Sequence, residues 1–121
     1  FMHSVSQGTL DIEDIYFPEG SAEYFELCES DLLDVVKLLE EFPAMDISIS
    51  GHSDQNNEID KDSLALDRAK SVQAFFEKNN IDSSRIEVAA FGSNHPAIPN
   101  ASRWEVQENR RVELRIKKHK E

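Results

Sequence analysis

A guanidinium stands inside the apolar face of a helix in this chain. At about 100° per residue, Leu64, Ala65, Ala69, Val72, Phe75 and Phe76 fall on one arc. Arg68 falls inside that arc, between Leu64 and Val72. A charge left unpaired there would cost several kcal/mol, so it needs a partner. Asp54, just beyond the preceding strand, is the expected one. Either the two neutralise each other, or together they receive a ligand that carries both charges.

The rest of the chain supplies a frame for that pair. Residues 1–8 are polar and aperiodic and read as a loose lead-in. Leu10-Asp11-Ile12 and Ile15-Tyr16-Phe17 read as a first strand, with a bulge where the apolar phase slips at Glu13-Asp14. Pro18-Glu19-Gly20-Ser21 is a turn. Ser30 and Asp31 suit the N-cap and first turn of a helix whose apolar stripe is Leu32, Val35, Val36, Leu39 and Phe42, and Pro43 ends it. Ile47, Ile49 and Gly51 alternate with Ser48 and Ser50 as a second strand. Asp54 to Lys61 is a polar loop. Asp62 or Ser63 caps the second helix, and Asn79-Asn80 stops it. Ile86, Val88 and Ala90 form a third strand. A short helical turn is expected within Ala101 to Glu108. Val112, Leu114 and Ile116 alternate with Arg111, Glu113 and Arg115 as the last strand.

The expected fold is α+β, a two-layer α/β sandwich of order β-α-β-α-β-β. Its mixed sheet has one polar face and carries both helices on the other. Right-handed crossovers align the first three strands, and the last runs antiparallel. Its start then lies beside the end of the second strand. Arg110 shares parity with Val112, so it begins on the helix-covered face. Asp54, Arg68 and Arg110 are thereby expected to converge at one end of a single domain. The domain is expected over 9–118, after the lead-in and before a tail at 119–121.

Charge narrows the function. The chain of 121 residues carries 24 acidic and 13 basic side chains, a net −11. Non-specific binding to nucleic acid or to an anionic membrane needs a cationic surface, so neither is expected. The single cysteine, Cys28, cannot form an internal disulfide. No apolar run approaches the ~18 residues of a membrane span. His52 and Asp54, with His95, could be read as metal ligands, but that spacing is weak and lacks supporting residues. Ser53 could be a nucleophile served by His52 or Asp54. Adjacent strand residues point to opposite faces, however, so Ser53 cannot easily reach either. No catalytic residue, metal or cofactor is expected.

Six landmarks in order carry a resemblance. They are Gly51-His52-Ser53-Asp54; Leu64-Ala65-Leu66-Asp67-Arg68-Ala69-Lys70-Ser71-Val72; Arg85-Ile86; Phe91-Gly92; Pro96 with Asn100; and Asn109-Arg110-Arg111-Val112. Over about residues 10 to 117 the chain resembles the OmpA-like domain shared by OmpA, Pal and MotB proteins. The resemblance implies non-covalent binding of the diaminopimelate residue in the peptide stem of peptidoglycan, anchoring a parent envelope protein in the periplasm of an outer-membrane-associated system. Asp54 would take the ligand ammonium and Arg68 the ligand carboxylate. Arg110 would support the carboxylate side and Asn109 would help to hold the pocket. Ser53 completes the expected ligand-binding set. His52 would pack and hydrogen-bond. Other envelope proteins or a second copy are further partners in such a family, and membrane attachment would come only from parts of a parent protein outside this chain. The pattern departs at Asn57, where a Gly is usual, at Lys61, where an Asn is usual, and at Ala65, where a Ser is usual. The loop is also about one residue short. These changes touch the rim of the pocket, where they bear on affinity and stem preference, and they leave the Asp54 and Arg68 pair in place. The alternative reading is an OmpA-like protein–protein interaction module that has lost peptidoglycan binding.

Overall fold

Alternating strands with one apolar face require a layer to cover that face, and two amphipathic helices provide it. The computed structural model describes residues 2–6, 9–54, 58–99, 101–102 and 105–118. In chain order the elements are β1 (Met2–Ser6), β2 (Thr9–Ile12), β3 (Ile15–Tyr16), α1 (Glu29–Glu41), β4 (Met45–Gly51), α2 (Lys61–Lys78), β5 (Ile86–Ala90) and β6 (Arg111–Lys118). The sheet order is β1-β2-β6-β4-β5, and β3 also pairs with β6. β4 and β5 are parallel, and β6 runs antiparallel to β2, β3 and β4. The expected α+β sandwich with a mixed sheet is therefore present.

Several boundaries differ from the sequence reading. The expected lead-in contains β1, which pairs antiparallel with β2. Backbone pairing needs no apolar periodicity, so its polar sequence gave no signal. The expected first strand is two short strands, broken at Glu13-Asp14 where the phase slips. A 3-10 turn at Glu26–Cys28 leads directly into α1, so Ser30 lies within the first turn and does not cap it. The N-cap of α2 is Asp60, in a left-handed conformation with φ 52°, rather than Asp62 or Ser63. Asn80 takes φ 69° just after the other end of α2, as expected of an asparagine that stops a helix. The late helical turn is a 3-10 turn over Val106–Asn109.

The core lies between the layers. Leu32, Val35 and Leu39 of α1 and Ala69, Val72 and Phe76 of α2 are buried with Ile47 and Ile49 of β4 and Val112, Leu114 and Ile116 of β6. Ile15 and Phe17 fill the end nearest the site. Arg85 ties the other end. Its guanidinium donates to the carbonyl oxygens of Leu39 at 2.9 Å, Phe42 at 3.1 Å and Met45 at 3.0 Å. Those bonds satisfy backbone acceptors at and just beyond the C-terminus of α1, where a cation is also favoured by the helix dipole.

Gly51 sets the distance between β4 and α2. A Cβ built there would lie 2.0 Å from the carbonyl oxygen of Ala65. The strand end can approach the first turns of α2 this closely only without a side chain. That approach fixes Arg68 opposite the residues that follow Gly51.

Candidate ligand-binding site

The register brings the end of β4 beside the start of β6, with Gly51 opposite Val112. Asp54 and Arg110 each lie just beyond those paired ends. Arg110 Nε donates to Asp54 Oδ2 at 2.7 Å. Its other nitrogens donate to Gln107 Oε1 at 2.9 Å and to Glu19 Oε1 at 3.3 Å. Asp54 is fully buried and Arg110 is 7% exposed. The expected convergence of Asp54 and Arg110 is thus met in the geometry.

Arg68 is also fully buried, but its carboxylate partner is not Asp54. It is Glu58, whose side chain is likewise fully buried. Arg68 Nη1 donates to Glu58 Oε1 at 2.9 Å, and Nη2 donates to Glu58 Oε2. The remaining donors reach main-chain carbonyls: Nε to Ser21 at 2.8 Å, Nη1 to His52 at 3.0 Å and Nη2 to Pro18 at 3.0 Å. A guanidinium has five N–H donors, and all five are engaged. The guanidinium carbon also lies 5.3 Å from the centre of the Phe17 ring.

Glu58 sits in a receptor of its own. Besides Arg68, its Oε2 accepts from the Gly20 amide at 2.7 Å and its Oε1 from the Asp54 amide at 2.8 Å. The Glu58 amide returns a bond to Asp54 Oδ1 at 3.1 Å. Arg110 Nε approaches Glu58 Oε2 to 3.9 Å. The centre is therefore two carboxylates against two guanidiniums, close to neutral and closed to bulk water. Glu58 was missed because it lies in a polar loop with no periodicity. A signal did exist: two guanidiniums on inward faces need two carboxylates, and Asp54 supplies one.

The other expected site residues support the walls. Asn109 is buried and clamps Ile98 from both sides: its Oδ1 accepts from the Ile98 amide at 2.9 Å, and its Nδ2 donates to the Ile98 carbonyl at 3.1 Å. Ser53 is fully buried, and its hydroxyl donates to the Lys61 carbonyl at 3.0 Å. It holds the start of α2 against the end of β4. Ala65, a departure from the usual Ser, is fully buried beneath Gly51. Asn57, Asn100 and Trp104 lie outside the described residues.

His52 belongs to the opposite face of the sheet. It lines a surface cavity of about 440 Å³ with Ser48, Ser50, Phe91, His95 and Glu113. Its ring stacks on Phe91 at 5.5 Å, and His95 meets the same ring edge-on at 4.8 Å. His52 Nε2 lies 3.5 Å from Glu113 Oε1. That contact, aided by Arg111 and opposed by partial burial, holds the Glu113 carboxyl down at about 2. Asp14, on the same cavity, is pushed up to about 6 by burial and by Glu113. Arg111 at 4.0 Å offsets only part of that. His52 and Asp54, two residues apart, thus face different surroundings.

Comparison with known proteins bears on this geometry. The chain matches the model of the OmpA family over residues 16–110. It is 34% identical over 90 residues to the photosystem I P700 chlorophyll a apoprotein A2 of Gloeobacter violaceus, covering 69% of this chain and 10% of that protein. It is 32% identical over 114 residues to the uncharacterized protein YtxE of Bacillus subtilis, covering 89% of this chain and 47% of that protein. The chain thus spans about half of YtxE and a tenth of the photosystem apoprotein. The crystal structure of the peptidoglycan-associated lipoprotein from Burkholderia pseudomallei shares the fold, with a TM-score of 0.80 at 20% identity, covering 86% of this chain and 89% of that one. The match spans the site from β3, at its amino end, to Arg110, and this chain belongs to the OmpA family.

Proposed function

We propose that this domain binds peptidoglycan non-covalently through the diaminopimelate of the peptide stem and so anchors a parent protein in the periplasmic cell envelope. The observation that carries this reading is the buried convergence of Asp54, Arg68 and Arg110 at one end of the sheet. The free end of a stem diaminopimelate carries an ammonium and a carboxylate. Asp54 is suited to accept from the first, and a guanidinium can grip the second through two parallel bonds. Arg110 orients Asp54, while Asn109 and Ser53 hold the two loops that frame them. Pairing of this local kind lets a chain of net −11 bind an anionic polymer. Family membership supports the reading, as does the peptidoglycan association named for the Burkholderia lipoprotein of the same fold.

The chemistry is binding rather than catalysis. The Ser53 hydroxyl, which follows β4 into the site, is buried and already donates to the Lys61 carbonyl. Sedimentation with purified sacculi tests the proposal. The wild type should pellet with diaminopimelate-type sacculi, and Asp54→Ala should not. Amidating the stem removes the carboxylate, so binding should fall by roughly tenfold or more, the weight of one charge-assisted pair. Equal binding to both forms would sink the assignment. A second reading, an interaction module without a peptidoglycan ligand, is favoured by the fact that every Arg68 donor already has a partner. Failure of both the wild type and Glu58→Ala to pellet would support it.

A further inference from the structure

We infer that Glu58 is a resident carboxylate that occupies the carboxylate receptor of this site, so that a ligand carboxylate binds Arg68 only by displacing it. The inference rests on the binding reading above and adds the step that controls access.

Four donors converge on Glu58: two N–H groups of Arg68 and the amides of Gly20 and Asp54. They come from three separated parts of the chain: the turn after β3, the segment after β4, and α2. A bidentate guanidinium with two further amides is a complete carboxylate-binding arrangement. It is also fully buried, where such bonds are strong and an empty receptor would leave a charge unpaired. The donors specify a carboxylate group and its orientation. They do not require that it belong to the chain, although here the chain supplies it from a loop residue ten positions before Arg68.

Two consequences follow. The wild-type affinity for any ligand carboxylate is reduced by the free energy of releasing Glu58, because the competent state is only a fraction of the population. The ammonium side is linked to the same event. Asp54 accepts from the Glu58 amide and donates its own amide to the Glu58 carboxylate, so releasing Glu58 also frees part of Asp54. One displacement therefore exposes both halves of a zwitterion site.

Acetate provides a probe that does not depend on peptidoglycan. Glu58→Ala removes the resident group and leaves the four donors around a space that accepts a small carboxylate. Sodium acetate should raise its melting temperature by several degrees over sodium chloride at equal ionic strength, because a ligand that binds only the folded state stabilises it. The wild type, already filled, should not respond. If Glu58→Ala is unfolded in chloride, recovery of a cooperative melt in acetate is the same result. Glu58→Gln is the gentler variant. Its amide NH2 must face N–H donors, so it holds the place weakly and should show a smaller acetate shift. Both variants should pellet with diaminopimelate-type sacculi roughly tenfold more tightly than the wild type. Acetate stabilisation with no pelleting by any variant would uphold the receptor and overturn the peptidoglycan reading. If neither variant responds to acetate beyond the wild type, the inference is wrong.

Discussion

Arg68 and Glu58 behave as one unit at the residue scale, and their energetics follow from what each leaves behind. Replacing Arg68 by Met strands a buried carboxylate and three main-chain carbonyls, of Pro18, Ser21 and His52. Breaking a buried pair on one side costs about 3–5 kcal/mol. Replacing Glu58 by Met strands the guanidinium and two amides at a similar cost. The double variant strands the main-chain groups but no charge, so it should lose clearly less than the sum of the singles. Urea unfolding of the four proteins measures this, and strictly additive losses would show that the two side chains are not coupled. The sequence made half of this centre legible. Helix phase placed Arg68 inward, and strand parity did the same for Arg110. The sequence marks Asp54, at a strand end, as the partner of Arg68. In the structure it pairs with Arg110, and Glu58 takes Arg68. A polar loop has no period, so which of its acids turns inward is decided by tertiary donors that sequence patterning does not register.

At the scale of elements, the strands with an apolar face were legible because burial on one face forces alternation. β4, β5 and β6 lie where the alternation put them. β1 was not legible, since it is held to β2 by backbone bonds at the sheet edge. Helix starts were misplaced for a related reason. Ser30 and Asp62 have capping side chains, but the chain enters α1 through a 3-10 turn and α2 through a left-handed Asp60, and neither N-cap residue makes a side-chain capping bond. The contact between β4 and α2 offers a sharp test. In Gly51→Ala the new methyl would meet the Ala65 carbonyl oxygen at 2.0 Å, a backbone atom that moves only with the helix. Overpacking of this kind costs about 1–3 kcal/mol or more, and the backbone clash places it at the upper end. Displacing the first turns of α2 also moves Arg68 from its receptor. The variant should therefore show a lower denaturation midpoint and loss of sacculus binding together. An unchanged midpoint would mean that the two elements can separate freely.

At the scale of the whole molecule, two carboxyls on the outer face of the sheet make opposed contributions to the dependence of stability on pH. Asp14 is raised from 3.8 to about 6, so between about 4 and 6 the folded chain holds a proton that the unfolded chain has released. Stability must then fall as pH rises through that window. Glu113 is lowered from 4.5 to about 2. Its contribution is present above about 4.5 and is lost as pH falls towards 2, because the unfolded chain takes up the proton first. The two effects oppose each other in direction and occupy adjacent windows, so the combined contribution of these two groups is greatest near about pH 4 to 4.5. Asp14→Asn should remove the decline between about 4 and 6 and raise stability at neutral pH. Glu113→Gln should weaken the decline on the acid side, and it should also release Arg111, which donates to Glu113 at 2.7 Å. Both side chains are partly exposed, so added salt should shrink each effect. Denaturation midpoints for the three proteins across these windows give the answer. If Asp14→Asn keeps the wild-type slope between about 4 and 6, Asp14 does not carry the proton, and the acid balance of the outer face must be assigned to other groups.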